Sequence, residues 1–171
     1  MTAARIRGRP IGILGRQRQG NGKFPARAGP RCEHGHVADP RAVVEQLVAA
    51  INAHDRSLWR PLFAVDCRCV TATSRVLDID GLEQVFLRNL VGFPDLRVEV
   101  ERWIVSGDTV VTEEVMAGTH QGPFGGLSPT GREIRIRMVH ITRVAGDRII
   151  ERVAYQDSAG LLRQMEEALP A

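Results

Sequence analysis

Few side chains in this sequence combine acid–base chemistry with an apolar setting. His140 is one. It belongs to the row Ile134, Ile136, Met138, His140 and Thr142, which share one strand face because successive side chains alternate. An imidazole in such a row can exchange a proton near neutral pH, or it can be a hydrogen-bonded core residue. Asp157 closes the next strand and suits either an acid or the cap of a following helix. Tyr155, the only tyrosine, shares a face with Asp157 and Val153 and has a phenol that can donate to a carbonyl oxygen. Glu113 and Glu114 are neighbours on a strand, so one must point inward unless a bulge intervenes. An inward carboxylate there would be a hidden acid. Arg152 supplies a cation on the last strand. His120 lies at a Gly- and Pro-rich loop and reads as its anchor. Trp59, Phe63, Phe86 and Trp103 read as core or cavity wall.

The elements that must position these residues follow from the hydrophobic pattern. Asp39-Pro40 is a helix start, with Asp39 as cap and Pro40 at the first helical position. Val43, Val44, Leu47, Val48 and Ile51 then recur at three- and four-residue steps, as in an amphipathic helix ending near Ala53-His54-Asp55. A short helix is predicted around Ser57 to Phe63, a strand over Cys67 to Thr73, and a helix over Gly81 to Leu90 capped by Asp80. Strands follow: one with Leu96, Val98 and Val100 alternating, then Thr109 to Thr119, Glu133 to Val144 and Arg148 to Gln156. Ser106-Gly107-Asp108 and Ala145-Gly146-Asp147 are turns, and Gln121 to Arg132 is a loop. A helix over Gly160 to Ala168 closes the chain. Helices followed by an antiparallel meander predict an α+β fold, in which a strongly curved sheet is packed by the N-terminal helices. Such a cone leaves an internal cavity, a natural small-molecule site.

The 171 residues suit one domain. Residues 1–38 are rich in Gly, Pro and Arg, have no hydrophobic period, and are expected to be a disordered basic extension; residues 39–171 form the folded domain. Arg5, Arg7, Arg9, Arg16, Arg18, Lys23, Arg27 and Arg31 against Glu33 alone put +7 on that extension. With a chain total of +3, the body carries −4. The extension lacks the aromatic interleaving and helical charge stripe of a binding arm, so neither nucleic acid nor membrane is expected as a partner. No apolar run approaches the length of a bilayer span, and the expected location is the cytoplasm. Cys32, Cys67 and Cys69 make an odd count without framework spacing. Cys67 and Cys69 lie two apart on a strand and read as small core residues on one face. Cys32-Glu33-His34-Gly35-His36 holds several metal-ligand types but has no second ligand pair at zinc spacing, so no metal site is expected.

Three motifs together resemble a known family. Gly118-Thr119-His120-Gln121-Gly122, followed by Gly126-Leu127-Ser128-Pro129-Thr130-Gly131-Arg132, is similar to the G-x-H-x-G…G-x-x-P-T-x-R element of SnoaL-like polyketide cyclases, in the nuclear transport factor 2-like superfamily. Arg143-Val144 with Gly146-Asp147-Arg148-Ile149 resembles their strand–turn–strand, and Asp157-Ser158-Ala159-Gly160-Leu161-Leu162-Arg163-Gln164 their closing element. Phe93-Pro94-Asp95 before a strand is also typical. The resemblance spans about residues 40–167.

The resemblance implies a cone-shaped, nuclear transport factor 2-like fold and a homodimer through the outer sheet face. It also implies a small carbonyl-bearing, polyketide-like substrate closed into a ring by aldol chemistry, with neither metal nor organic cofactor. In the family the acid–base carboxylate is an Asp three residues before the closing Asp, and here that position is Ala154. Alanine cannot transfer a proton. His140 matches the family's pocket His. The implied site is therefore His140 with Asp157 or Tyr155 as catalytic residues. Trp59, Phe63, His120, Met138, Arg152 and Ala154 would contact substrate. A non-catalytic binder of the same fold is the rival reading, favoured by Ala154. An epoxide hydrolase would need an Asp–Arg–Asp set, and Arg152 has no suitable carboxylate pair in the pattern.

Overall fold

The computed structural model describes residues 39–166. The basic extension assigned to residues 1–38, its cysteine- and histidine-containing segment included, lies outside the described residues, as do residues 167–171. The chain adopts the expected α+β architecture: helices first, then a meander of long strands.

Helix α1 spans Pro40–Asn52, with Asp39 accepting from the Arg41 amide at 3.0 Å and proline in the first turn. It buries Val43, Val44, Leu47 and Ala50. Helix α2 (Arg56–Trp59), capped by Asp55, runs into a 3-10 turn, Arg60–Leu62. Strand β1 (Phe63–Val70) begins four residues earlier than the pattern suggests, because Phe63 already enters the core. It turns back into the two-residue strand β2 (Val76–Leu77), which alternation could not reveal. Helix α3 spans Ile79–Gly92. Its cap is Asp78, not Asp80: Asp78 Oδ1 accepts from the Gly81 amide at 2.8 Å, while Asp80 pairs with Arg60 at 2.7 Å.

Strands β3 (Arg97–Ser106), β4 (Thr109–Thr119), β5 (Glu133–Ala145) and β6 (Arg148–Gln156) form the meander, and α4 (Ser158–Glu166) follows. The curved six-stranded sheet has the order β2-β1-β6-β5-β4-β3. One pairing departs from the antiparallel expectation: β1 runs parallel to β6. The chain segment between them, residues 71–147, is more than half of the domain and long enough for a parallel neighbour. A bulge also separates Val100 from Arg102, leaving Glu101 as the extra residue of β3.

Two side-chain clamps fix this arrangement. Asn52, the last residue of α1, donates to the Val98 carbonyl at 2.8 Å and accepts from the Val98 amide at 2.7 Å. This docks α1 against the outermost long strand. Asp95, of the Phe93-Pro94-Asp95 segment, accepts from both the amide and the hydroxyl of Thr119 at 2.7 Å each. It ties the end of β4 to the start of β3. The loop after β4 is pinned too. Gln121 and Gly122 donate their amides to the Gly92 carbonyl at 2.9 and 3.1 Å. A Cβ on Gly122 would fall 2.0 Å from the Val91 carbonyl oxygen.

That contact is with backbone, which cannot swing aside. Gly122→Ala should therefore cost about 1–3 kcal/mol, the range for overpacking. A lower midpoint in chemical denaturation, with unchanged slope, is the expected reading; an unchanged midpoint would mean that the loop docks more loosely than described.

Candidate active site

The inner sheet face and the helices enclose a cavity of ≈ 340 Å³, within the range of small-molecule sites. Its walls are apolar. Trp59 stacks on Phe86 with ring centroids 5.0 Å apart and packs against Phe63 at 4.6 Å. All three rings line the cavity, joined by Leu47, Met116 and Met138. At one end the lining turns polar: Glu114, His140, Arg152 and Ala154 meet there.

Strand register explains the grouping. Thr112 on β4 stands opposite His140 on β5, which stands opposite Ala154 on β6. One step along, Thr142 stands opposite Arg152. One step the other way, Glu114 stands opposite Met138. Alternation puts all of these on the inner face.

Glu114 is the hub, with 1% exposure. One carboxylate oxygen accepts from the Thr112 hydroxyl at 2.5 Å and lies 3.5 Å from Arg152 Nη2. The other lies 3.1 Å from His140 Nδ1. Arg152 Nη1 donates to the Thr142 hydroxyl at 2.9 Å. Burial opposes ionisation of Glu114, but His140, Arg152 and Thr112 outweigh it and hold the carboxyl down, at about 2. Burial pushes the His140 imidazole below its ordinary value; Arg152 adds to this, and Glu114 only partly opposes it. At neutral pH the ring is thus neutral beside a carboxylate. An ionised carboxylate only accepts hydrogen bonds, so Nδ1 carries the hydrogen and donates to Glu114. Nε2 is left with its lone pair and makes no hydrogen bond among the described residues. The arrangement is an oriented base: carboxylate, imidazole, then open cavity.

The residues proposed from sequence divide. His140, Arg152, Ala154, Met138, Trp59 and Phe63 line the cavity. His120, Tyr155 and Asp157 do not, and those placements are corrected. Tyr155 is 57% exposed because alternation turns it to the outer face, opposite to Ala154. Asp157 lies past the end of β6, where the chain turns into α4. Its carboxylate caps that helix through the Gly160 amide at 2.8 Å and faces Arg163 at 3.4 Å. His120 is fully buried against Phe93, with ring centroids 5.6 Å apart, and its Nδ1 meets the Thr130 hydroxyl at 3.0 Å. It holds the loop together away from the cavity. Glu113 faces outward toward Arg102 and Arg137 at 3.4 and 4.0 Å, so Glu114 is the inward member of the pair. The signal for Glu114 was the adjacency itself. Cys67 and Cys69 are both buried, with sulfurs 3.5 Å apart. Among the described residues no three metal-ligating side chains gather into a metal site.

Comparison with known proteins bears on the fold and the family. No functionally curated protein matches the chain. Among solved structures, IdmH, a proposed polyketide cyclase from Streptomyces antibioticus, is 29% identical with a TM-score of 0.69, over 75% of this chain and 99% of its own. AclR, a proposed hydroxylase from Streptomyces galilaeus, is 24% identical with a TM-score of 0.71, over 79% of this chain and 85% of its own. A proposed SnoaL-like polyketide cyclase from Jannaschia sp. CCS1 is 21% identical with a TM-score of 0.71, over 82% of this chain and all of its own. The family model for SnoaL-like polyketide cyclases matches residues 41–165. With that match across most of its length, the chain belongs to the SnoaL-like polyketide cyclase family.

Proposed function

We propose that this protein is a cyclase- or isomerase-type enzyme that acts on a small, carbonyl-bearing, polyketide-like compound by acid–base chemistry without a cofactor. The observation that carries the reading is Glu114 at 3.1 Å from His140 Nδ1. The family's carboxylate would flank His140 from β6, and here that place is Ala154. Glu114 flanks the same ring from β4 instead. In this reading His140 Nε2 takes the proton from a carbon next to a carbonyl, and the electron pair passes into an enolate. The enolate carbon then attacks a second carbonyl of the same molecule. A carbon–carbon bond forms, the C=O π bond breaks, and the new alkoxide takes the proton back from Nε2. Glu114 stays anionic throughout and stabilises the transient imidazolium. Arg152 balances the charge of Glu114 when the ring is neutral. The apolar walls exclude water and fold the substrate for ring closure.

2-Tetralone in D2O tests this without the natural substrate, because its α-hydrogens exchange only when a base removes them. The protein should accelerate that exchange, followed by NMR, with a rate that falls as pH drops through the depressed pKa of His140, below 6.5. His140→Ala should lower it about 10²-fold, the usual scale for one acid–base group. Ala154→Asp adds a second carboxylate opposite the ring, stabilises the imidazolium, and should move the acid limb of the profile upward. If tetralone binds but the wild type exchanges no faster than buffer, the rival reading holds, in which this member binds small molecules without turning them over. Ala154 is what favours that rival.

The buried pair also predicts a stability profile. The folded pKa of Glu114, about 2, lies below its ordinary 4.5. Its contribution is therefore complete above pH 4.5 and disappears as pH falls toward 2. His140, with its lowered pKa, acts in the same direction from 6.5 downward. Urea denaturation between pH 7 and pH 3 should show falling stability, and Glu114→Gln should flatten the part below pH 4.5. A slope unchanged by that substitution would show that the carboxylate is not held by its neighbours.

A homodimer belongs to the same reading. On the outer face the register aligns Ile104, Val111, Ile141 and Val153 across four strands, with Ile104 51% exposed. Arg137 and Glu101 flank this stripe as a pair, and Arg143 and Glu151 as another. A two-fold contact would bury the stripe on both copies. Ile141→Arg should then turn a dimer into a monomer by light scattering; a wild type that already runs as a monomer would remove the dimer from this reading. Cytoplasmic location is part of it as well. Among the described residues no helix is long and apolar enough to cross a membrane.

A further inference from the structure

The cavity lining carries a second group of polar residues, on the β1–β2 turn and α3, which the proton transfers above do not use. Arg75, in the turn between β1 and β2, and Arg88, on α3, both line the cavity. Both also line a second concavity beside it, with Leu77, Gly81, Gln84 and Val85. Both residues border the two hollows, as Leu77 and Val85 do, and both are exposed, which puts them at the cavity rim.

Among the described residues neither arginine pairs with a carboxylate. Arg41, Arg68, Arg102, Arg137, Arg143, Arg148 and Arg163 are each paired on the surface, whereas Arg97, Arg132 and Arg135 share the lack of a carboxylate; Arg75 and Arg88 differ from those three in lining the cavity. The carboxylates nearest in sequence are engaged elsewhere. Asp78 caps α3 through the Gly81 amide. Asp80 pairs with Arg60, and Glu83 is buried between Arg56 and Arg60. The Arg88 guanidinium lies over the Phe124 ring, 5.6 Å from its centroid, so its side chain is steered along the rim. Thr71 and Thr73 in the same turn also line the cavity; their hydroxyls bond each other at 3.1 Å and Thr71 accepts from the Arg75 amide at 3.2 Å, which leaves one O–H to offer a ligand. Two guanidiniums and a hydroxyl beside an apolar hollow match an oxyanion on an apolar body.

We infer that Arg75 and Arg88 form an oxyanion-binding site at the cavity rim, and that the ligand is a small aromatic or polyketide-like molecule with a carboxylate or phosphate at its outer end. The apolar body fills the hollow between Trp59, Phe63 and Phe86, and the anionic end stays in the mouth. The further statement that the inner end presents a carbonyl to His140 rests on the function proposed above; the rim site itself does not. Because Glu114 and Arg152 already balance each other at the floor, an anion gains nothing by entering inner end first. The rim arginines therefore set the direction of entry as well as adding affinity.

Calorimetric titration of the full-length protein with three probes tests this: 2-naphthoate, 2-naphthyl phosphate and the neutral methyl 2-naphthoate. At least one anion should bind about tenfold tighter than the ester at low salt, with a preference that shrinks as salt is added. Whichever anion shows it identifies the carboxylate or the phosphate as the group recognised. In Arg75→Gln/Arg88→Gln the preference should fall to within about twofold, mainly through weaker anion binding. Both positions are exposed, so the fold should survive, and circular dichroism checks that. Three results would overturn the inference: anions binding no better than the ester, a preference that survives in the double variant, or no binding of any probe at millimolar concentration. Binding is read without turnover. A protein that shows the rim preference but exchanges no deuterium into 2-tetralone would lose the catalytic reading and keep this site.

Discussion

A buried carboxylate needs partners, and most of what is distinctive in this fold follows from how Glu114 finds them. An ionised group removed from water costs several kcal/mol unless opposite charge and hydrogen bonds replace the lost solvent. Three strands supply the replacement. Thr112 comes from the same strand as Glu114, His140 from β5 and Arg152 from β6. The three strands must keep their register for these contacts to exist together, because a one-residue slip would turn every member outward. The polar floor of the cavity therefore also records the alignment of the sheet centre.

The same constraint accounts for the division between polar floor and apolar wall. Charges are tolerated only where the network closes on itself. Trp59 and Phe86, from the helices, and Phe63, at the start of β1, have no such network to join; Trp59 stacks on Phe86 and packs at a tilt against Phe63 instead. In the proposed reading, Glu114 on β4 stands in for the carboxylate that the family resemblance would put at the position of Ala154 on β6. The methyl group of Ala154 leaves space on the flank that the family's aspartate would fill. A ligand can therefore approach His140 from a side that an acid at residue 154 would occupy.

Much of this was legible in the residues. The three- and four-residue recurrence of Val43, Val44, Leu47 and Ile51 marks α1, and Asp39-Pro40 marks its start. His140 stood out because an imidazole among Ile134, Ile136 and Met138 contradicts its surroundings. Glu114 was half legible: adjacency with Glu113 says that one carboxylate turns inward, but which one depends on the phase of β4 against its neighbours. Tyr155 and Asp157 were misplaced for a related reason. Alternation groups them correctly on one face but does not say which face is the inner one. The cap of α3 was ambiguous because Asp78 and Asp80 both suit it, and only the competing Arg60 decides. The parallel pairing of β1 with β6 joins residues more than 80 positions apart, and no local pattern encodes it. The rim arginines were invisible in sequence, since a guanidinium without a carboxylate among the described residues is recognised only once the nearby acids are seen to be engaged elsewhere.

The clamp made by Asn52 reaches beyond helix docking. An outermost strand normally offers bare amides and carbonyls to any extended segment that passes. Here one side-chain amide occupies both groups of Val98, as an added strand would. At the opposite margin the sheet stops at a strand of only two residues, too brief to seed further growth. A strand adding along β3 would therefore have to stop at Val98, and at the other margin it would find only two residues to pair with.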